Sequence, residues 1–203
     1  MEMLTPKCKY PFLVFDNLIP QEDLNNVFDE VNYLKKFTNP PAETSSAINE
    51  YGDYLKSNTG IFLQDFYNTN FYDNNSFIVK SLKQMFNSDV QKEIRNYNPI
   101  FSHYLVQNLG CSILLSYYSD GDFYSKHYDR AIYTGVLWIH KEPKTFEGGE
   151  FLFHFEDDSV EEVEVKNNRM VLFPSFYKHE VKRIKSLEEY PRCAVSMFLN
   201  INS

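Results

Sequence analysis

Two periodicities divide this chain. Leu24, Val27, Phe28, Val31 and Leu34 recur at helical spacing, behind Ile19-Pro20-Gln21-Glu22-Asp23, where proline and acids stand as a helix start favours them. A second helical pattern runs from about Asn75 to Tyr97, with Phe77, Ile78, Leu82, Met85 and Phe86 on one side and an interruption expected near Asn87-Ser88-Asp89. Between the two, Thr38 to Ser46 holds an Asn-Pro-Pro run and small polar residues, which predicts a loop. Beyond about Cys111 the pattern changes to short Ile, Val, Phe, Tyr and Leu segments separated by Ser-Asp-Gly, Glu-Gly-Gly, Glu-Asp-Asp-Ser and Lys-Asn-Asn.

That rhythm predicts strands at about 111–118, 123–128, 132–139, 150–155, 160–165, 169–173, 178–184 and 192–200, enough for two packed sheets. The expected class is mainly β with flanking helices (α+β), a jelly-roll sandwich whose outer face the two N-terminal helices cover, because their apolar stripes need burial. The 203 residues fit one domain, with helical support over about 19–97 and the β core over about 111–200.

Composition narrows the function classes. Hydrophobic residues at 43% and charged residues at 24% are a globular balance, and 15 Tyr with 18 Phe suit strands and an aromatic interior. A formal net charge of -8 gives no general attraction to phosphate backbones or anionic lipid, so neither nucleic acid nor membrane is an expected partner. Cys8, Cys111 and Cys193 are widely spaced, which predicts reduced thiols in a cytoplasmic protein rather than a disulfide scaffold. The apolar run Tyr10 to Phe15 is too short for a secretory core and stops at Asp16, and the longer apolar runs are strand-sized.

The chemistry is concentrated in the strand-rich block. His127-Tyr128-Asp129 sits at a predicted strand end, where residues two apart share a face, so imidazole and carboxylate can reach one point. His179, after Phe173-Pro174-Ser175, lies on another predicted strand and supplies a third ligand. Two histidines and one carboxylate leave half of an octahedral sphere open, the arrangement of non-haem iron(II) sites, whereas a structural zinc site is closed. An isolated His-x-Asp is also a common accident, and strand histidines are commonly structural. Arg192 opens the last apolar strand and either points a guanidinium into a pocket beside the metal or pairs at the edge with Glu188 or Glu189. Tyr124 and Tyr118 offer a phenol wall and donor or ordinary packing, and Ser196 shares a strand face with Arg192.

Over most of its length the chain resembles the 2-oxoglutarate and iron(II) dioxygenases, and within them the prolyl 4-hydroxylase-like branch. Tyr118-Ser119-Asp120-Gly121-Asp122-Phe123-Tyr124-Ser125-Lys126-His127-Tyr128-Asp129 is similar to that branch's Tyr-x-x-Gly-x-x-Tyr-x-x-His-x-Asp. Tyr10 to Leu18 looks like its entry segment, Gly135 to Ile139 its core strand, Phe146-Glu147-Gly148-Gly149-Glu150-Phe151 its Gly-Gly-acid turn, and His179 and Arg192 its distal histidine and co-substrate arginine.

The resemblance implies a double-stranded β-helix that binds iron through His127, Asp129 and His179. Arg192 would anchor the distal carboxylate of 2-oxoglutarate, dioxygen would be consumed, and ascorbate is admitted as an auxiliary. The implied reaction hydroxylates an unactivated C–H bond, in a prolyl residue of a peptide or protein ahead of a free amino acid or other small molecule.

Trp138 stands where relatives often carry Tyr, replacing a phenol with an indole wall and one N–H donor. Collagen-type relatives carry Lys in place of Arg192, and the chain between His179 and Arg192 is somewhat long, so Lys182, Arg183 and Lys185 are rival anchors. His103, His140 and His154 are expected to be structural, Gly148-Gly149 to serve backbone geometry, and Glu156 to Glu164 to form a solvated hairpin. Asp129 stands against a halogenase, whose relatives lack that carboxylate, and no basic aromatic groove suggests a nucleic-acid demethylase. The competing class is a catalytically silent jelly-roll module that binds peptide or carbohydrate.

Overall fold

The stripe beginning at Leu24 folds as α1, Leu24–Leu34, entered through a 3-10 turn at Gln21–Asp23. Its buried Val27, Val31 and Leu34 each contribute roughly 1.5–3 kcal/mol by leaving water. The computed structural model describes residues 1–44, 51–71, 73–99, 101 and 110–200. Within the expected loop, Pro41–Thr44 forms a short helix, α2, and positions 45 and 46 lie outside the described residues. Helix α3, Leu63–Tyr67, follows. The second helical pattern divides into α4, Phe77–Lys83, and α5, Ser88–Tyr97. Each starts under a cap: Ser76 Oγ accepts from the Val79 N–H at 2.9 Å, and Asn87 Oδ1 from the Asp89 N–H at 3.0 Å.

Strands β1 (Glu2–Leu4), β2 (Leu13–Asp16) and β3 (Thr59–Phe62) precede the strand-rich block. That block contains β4 (Gly110–Tyr118), β5 (Tyr124–His127), β6 (Tyr133–His140), β7 (Glu147–Gly148), β8 (Phe151–His154), β9 (Val160–Val163), β10 (Arg169–Pro174), β11 (Lys178–Val181), β12 (Ile184–Lys185) and β13 (Arg192–Asn200). One sheet runs β1-β2-β10-β6-β13-β4-β3, a second runs β5-β11-β8-β9, and β12 and β7 form a small pair. All eight expected strands are present. The segment 19–97, expected to be helical, also contains β3, which extends the large sheet beside β4. The strand expected over 178–184 stops at Val181, and Ile184–Lys185 pairs instead with Glu147–Gly148.

Strand alternation builds two cores from one sheet. Cys193, Val195, Met197 and Leu199 of β13, with Leu137 and Ile139 of β6, pack against α1, α4 and α5 through Val31, Leu82 and Ile94. The opposite faces of β6 and β10, Val136, Trp138, Val171 and Phe173, meet Phe151, Phe153 and Val181 of the second sheet. Covered on both sides, β6 is buried at every position. At the margin, Asp16 on β2 and Arg169 on β10 are register partners joined by Nε–Oδ1 and Nη2–Oδ2 bonds of 2.5 and 2.8 Å. The acidic segment is the β8–β9 hairpin, turning through Asp158 at φ 61°.

Candidate metal centre

The mouth between the two sheets gathers the candidate ligands. His127 ends β5, and its register partner across the antiparallel pair is His179 of β11, which places the two rings 4.2 Å apart. Asp129 lies two residues past His127, held there because its N–H donates to the Ser175 carbonyl at 3.1 Å. Its Oδ1 is 3.7 Å from His127 Nε2 and its Oδ2 3.4 Å from His179 Nε2. One ligand atom from each of the three lies within 4.8 Å of the others, and among the described residues no other such group of His, Cys, Asp and Glu occurs.

The surroundings aim these atoms inward. His127 Nδ1 is 2.8 Å from the Ser125 carbonyl and His179 Nδ1 2.9 Å from the Tyr177 carbonyl. A carbonyl only accepts, so both rings carry their proton on Nδ1 and turn a bare Nε2 to the centre. Burial and the neighbouring His179 hold the His127 imidazole well below its ordinary pKa, hence neutral and able to donate to a metal. Thr134 Oγ1 donates to Asp129 Oδ2 at 2.7 Å and lies 2.8 Å from Ser175 Oγ. Because the Thr134 proton goes to the carboxylate, Ser175 is the donor in the second bond. This hydroxyl relay fixes the carboxylate that a divalent metal needs.

Arg192, at the start of β13, is fully buried. Its Nη1 donates to the Gly149 carbonyl at 2.5 Å, while Nε and Nη2 have no partner. The guanidinium lies 5.0 Å from the Tyr118 ring and 6.0 Å from the Trp138 ring, and burial pushes its pKa down to about 10. The surface alternative does not hold, since Glu188 pairs with Lys141. The rival cations are engaged elsewhere: Lys182 with Glu180 at 2.9 Å, Arg183 with the Gly121 carbonyl, and Lys185 exposed near Glu147. A buried guanidinium with two unused N–H groups has the donor geometry for a carboxylate.

A cavity of about 250 Å³ joins these groups. Its wall includes His127, Asp129, His179 and Arg192, with Tyr118, Tyr124 and Ser196 among the other residues singled out in the sequence. Tyr124 stacks on His127 at 3.5 Å. Trp138 does not reach this wall; it lies buried behind Arg192 with its Nε1 unpartnered, and Val136 takes the wall position on β6. His140 is buried against the Lys141 carbonyl, His154 bonds Glu180 at 2.7 Å, and His103 lies outside the described residues. Gly148 and Gly149 have φ of 70° and 71°, as backbone geometry predicts, but Gly149 also seats the arginine.

Sequence reasoning missed Thr134, Ser175 and Lys56. Lys56 is 1% exposed, lines the same cavity and donates from Nζ to Thr44 Oγ1 at 2.8 Å. Burial pushes its pKa down to about 8, against an opposing pull from Asp129. Of the three, only Ser175 stands in a segment that the sequence marks, the Phe-Pro-Ser turn before His179.

Comparison with known proteins fits this geometry. Residues 113–200 match the family model described as the 2OG-Fe(II) oxygenase superfamily. Among solved structures, a Pseudomonas putida prolyl-4-hydroxylase is 16% identical with a TM-score of 0.66, over 96% of this chain and 95% of that one. A Trichoplax adhaerens prolyl hydroxylase, solved with a hypoxia inducible factor peptide fragment, is 14% identical with a TM-score of 0.57, over 94% and 83%. A 2OG-Fe(II) oxygenase family oxidoreductase from Burkholderia pseudomallei is 10% identical with a TM-score of 0.59, over 95% and 86%. No curated protein matches. The resemblance to the 2-oxoglutarate and iron(II) dioxygenases is borne out, and the fold is their jelly roll.

Proposed function

We propose that this chain is a 2-oxoglutarate- and iron(II)-dependent oxygenase that hydroxylates an unactivated C–H bond, in a prolyl residue of a peptide or protein or in a free amino acid. One observation carries this reading: a His-Asp-His set within 4.8 Å opens onto the same cavity as a buried arginine with two unused donors. His127, Asp129 and His179 would hold the iron, and Arg192 Nε and Nη2 would receive the distal carboxylate of 2-oxoglutarate. The bound iron, with 2-oxoglutarate and dioxygen, supplies the oxidation: the co-substrate leaves as succinate and carbon dioxide while the acceptor carbon gains a hydroxyl.

What the chain contributes is position and shelter. The carbonyls of Ser125 and Tyr177 keep the imidazoles in one tautomer, and Thr134 with Ser175 keeps Asp129 from swinging away. Val136, Phe151, Val181 and Ala194 give the cavity apolar walls that limit water around the reacting atoms. Tyr118, Tyr124 and Ser196 would contact co-substrate or acceptor from the wall, and Trp138 would support Arg192 from behind. The peptide bound by the Trichoplax neighbour supports a peptidyl acceptor. We read residues 1–203 as one oxygenase domain, and the free thiols of Cys8, Cys111 and Cys193 support a reducing cytoplasmic setting. No helix among the described residues is long and apolar enough to cross a membrane.

The test is anaerobic addition of iron(II) and 2-oxoglutarate, which should produce a visible charge-transfer band. The band should be lost in His127→Ala and Asp129→Ala, whereas Arg192→Ala should weaken 2-oxoglutarate binding and spare iron binding. Folded wild-type protein without a band would transfer the assignment to a silent jelly-roll binding module.

A further inference from the structure

The metal cavity carries more positive charge than iron and 2-oxoglutarate require. Lys56 is buried on its wall, and its ammonium, with three protons to place, finds one hydroxyl, Thr44 Oγ1, and the face of the Tyr124 ring 5.5 Å away. It has no ion pair among the described residues. Among the described residues the only carboxylate on the wall is Asp129, which accepts from Thr134 and stands with the two histidines at the metal position. Arg130, exposed on the same wall, also has no ion pair among the described residues. A divalent metal and the 2-oxoglutarate dianion cancel, and Asp129 offsets Arg192, which leaves Lys56 and Arg130 uncompensated in a chain whose net charge is -8. Lysine is almost never fully buried unless paired, since removing an ammonium from water is costly.

We propose that the acceptor carries a free carboxylate that Lys56 receives inside the metal cavity, so that the substrate is a free amino acid or a chain terminus rather than an internal residue of a polypeptide. This rests on the oxygenase reading and narrows it. The cavity size agrees, since about 250 Å³ lies below the roughly 300–1,000 Å³ of pockets for drug-sized ligands and must serve co-substrate and acceptor together. The contact is built from backbone: Lys56 bridges Tyr124, the Ser57 N–H donates to the Phe123 carbonyl, and the Ser125 N–H donates to the Leu55 carbonyl. This pins the lysine beside the strand that ends in His127. Lys56 thus acts as a positioning residue for the acceptor.

The experiment uses the full chain loaded anaerobically with iron(II) and 2-oxoglutarate, reading the shift of the charge-transfer band on adding probes. The probes are the twenty L-amino acids, each beside its carboxamide, an acetylated dipeptide ending in a free carboxylate, and acetyl-Gly-Pro-Gly-amide. At least one free acid should bind about tenfold or more tighter than its carboxamide, and Lys56→Met should erase that preference while leaving the band in place. The dipeptide acid separates a chain terminus from a free amino acid. Acids no better than amides, an unchanged preference in Lys56→Met, or acetyl-Gly-Pro-Gly-amide binding as tightly as the acids would each overturn the proposal.

Melting of the unloaded protein gives a second readout. Lys56→Met should hold or raise Tm, because it removes an unpaired buried charge, and a fall of more than about 5 °C would make the lysine structural instead. If the wild-type band never forms, the iron assignment fails on its own. The acid-against-amide comparison, repeated as ligand-induced Tm shifts of wild type and Lys56→Met, then decides the lysine: a preference that the variant lacks upholds it, and none overturns it.

Discussion

Gly149→Ala should damage co-substrate binding without touching a metal ligand. Gly149 has φ +71°, a left-handed conformation that costs an L-residue roughly 1–2 kcal/mol. A methyl there would also stand 2.8 Å from Arg192 Nη1 and 3.0 Å from Ile184 Cγ1, both too close. Ile184 is packed in the inner core, so the guanidinium is what gives, and it leaves the carbonyl that seats it. Charge-assisted bonds of this type are worth about 1.5–3 kcal/mol, so 2-oxoglutarate affinity should fall by roughly 10- to 150-fold. Strain and crowding together should remove about 2 kcal/mol of stability, or about 4–8 °C of Tm for a domain of this size. Anaerobic titration of 2-oxoglutarate measures the first quantity, and iron(II) affinity, measured alongside, should be unchanged. Gly148→Ala is the control: its methyl would run into the Arg183 backbone oxygen, so it strains the β7–β12 pair rather than Arg192. A Gly149→Ala protein that melts lower yet binds 2-oxoglutarate as tightly as wild type would refute the role given to this contact.

Thr134→Val should weaken metal affinity by about 10- to 100-fold, read by metal titration, because it removes the hydroxyl that donates to Asp129 and leaves the buried Ser175 hydroxyl without its acceptor; equal affinity in the two proteins would dismiss the relay. Asp16→Asn should cost about 1–2 kcal/mol at neutral pH, or about 2–8 °C of Tm, by breaking the two-bond pair with Arg169. Hydrogen bonding to Arg169 lowers the folded Asp16 pKa below 3.8, so the pair contributes fully above that value and is lost as pH falls through the lower, folded one. The Tm gap between wild type and Asp16→Asn should therefore close on acidification, and a gap constant from neutral pH to about pH 2 would contradict the linkage.

Much of the fold can be read directly from the chain because its faces are uniformly buried or uniformly capped. Ser76 and Asn87 mark the starts of α4 and α5 by side chains that accept their own helices' N–H groups, a local signal. β6 reads as a continuous apolar run because helices cover one face and the second sheet the other. The strands that escaped are those whose existence depends on a neighbour. Glu2–Leu4 and Thr59–Phe62 are short edge strands with no alternation of their own, ordered by pairing with β2 and β4. The same holds for Ile184–Lys185, which separates from β11 only because Glu147–Gly148 offers it a partner.

The site divides along the same line. His127 ends β5 and Asp129 lies two residues on, a spacing that suggests a shared face from the sequence, although the bond from the Asp129 N–H to the Ser175 carbonyl is what holds it there; His179 follows once β11 is known to pair with β5. Thr134 and Ser175 become meaningful only when β6 and the turn after β10 are placed beside Asp129, and a hydroxyl in a strand or turn otherwise has many ordinary uses. Lys56 is the extreme case. Nothing around it forms a motif, and its chemistry comes from a backbone bridge to Tyr124 that joins distant parts of the chain. The net charge of -8 even points the other way, because a sum over the surface carries no information about which few charges line an interior wall. A cavity of opposite sign inside an acidic protein selects for what enters it: with bulk attraction for anions absent, an anionic acceptor has to be recognised at short range, by groups already buried and already aimed.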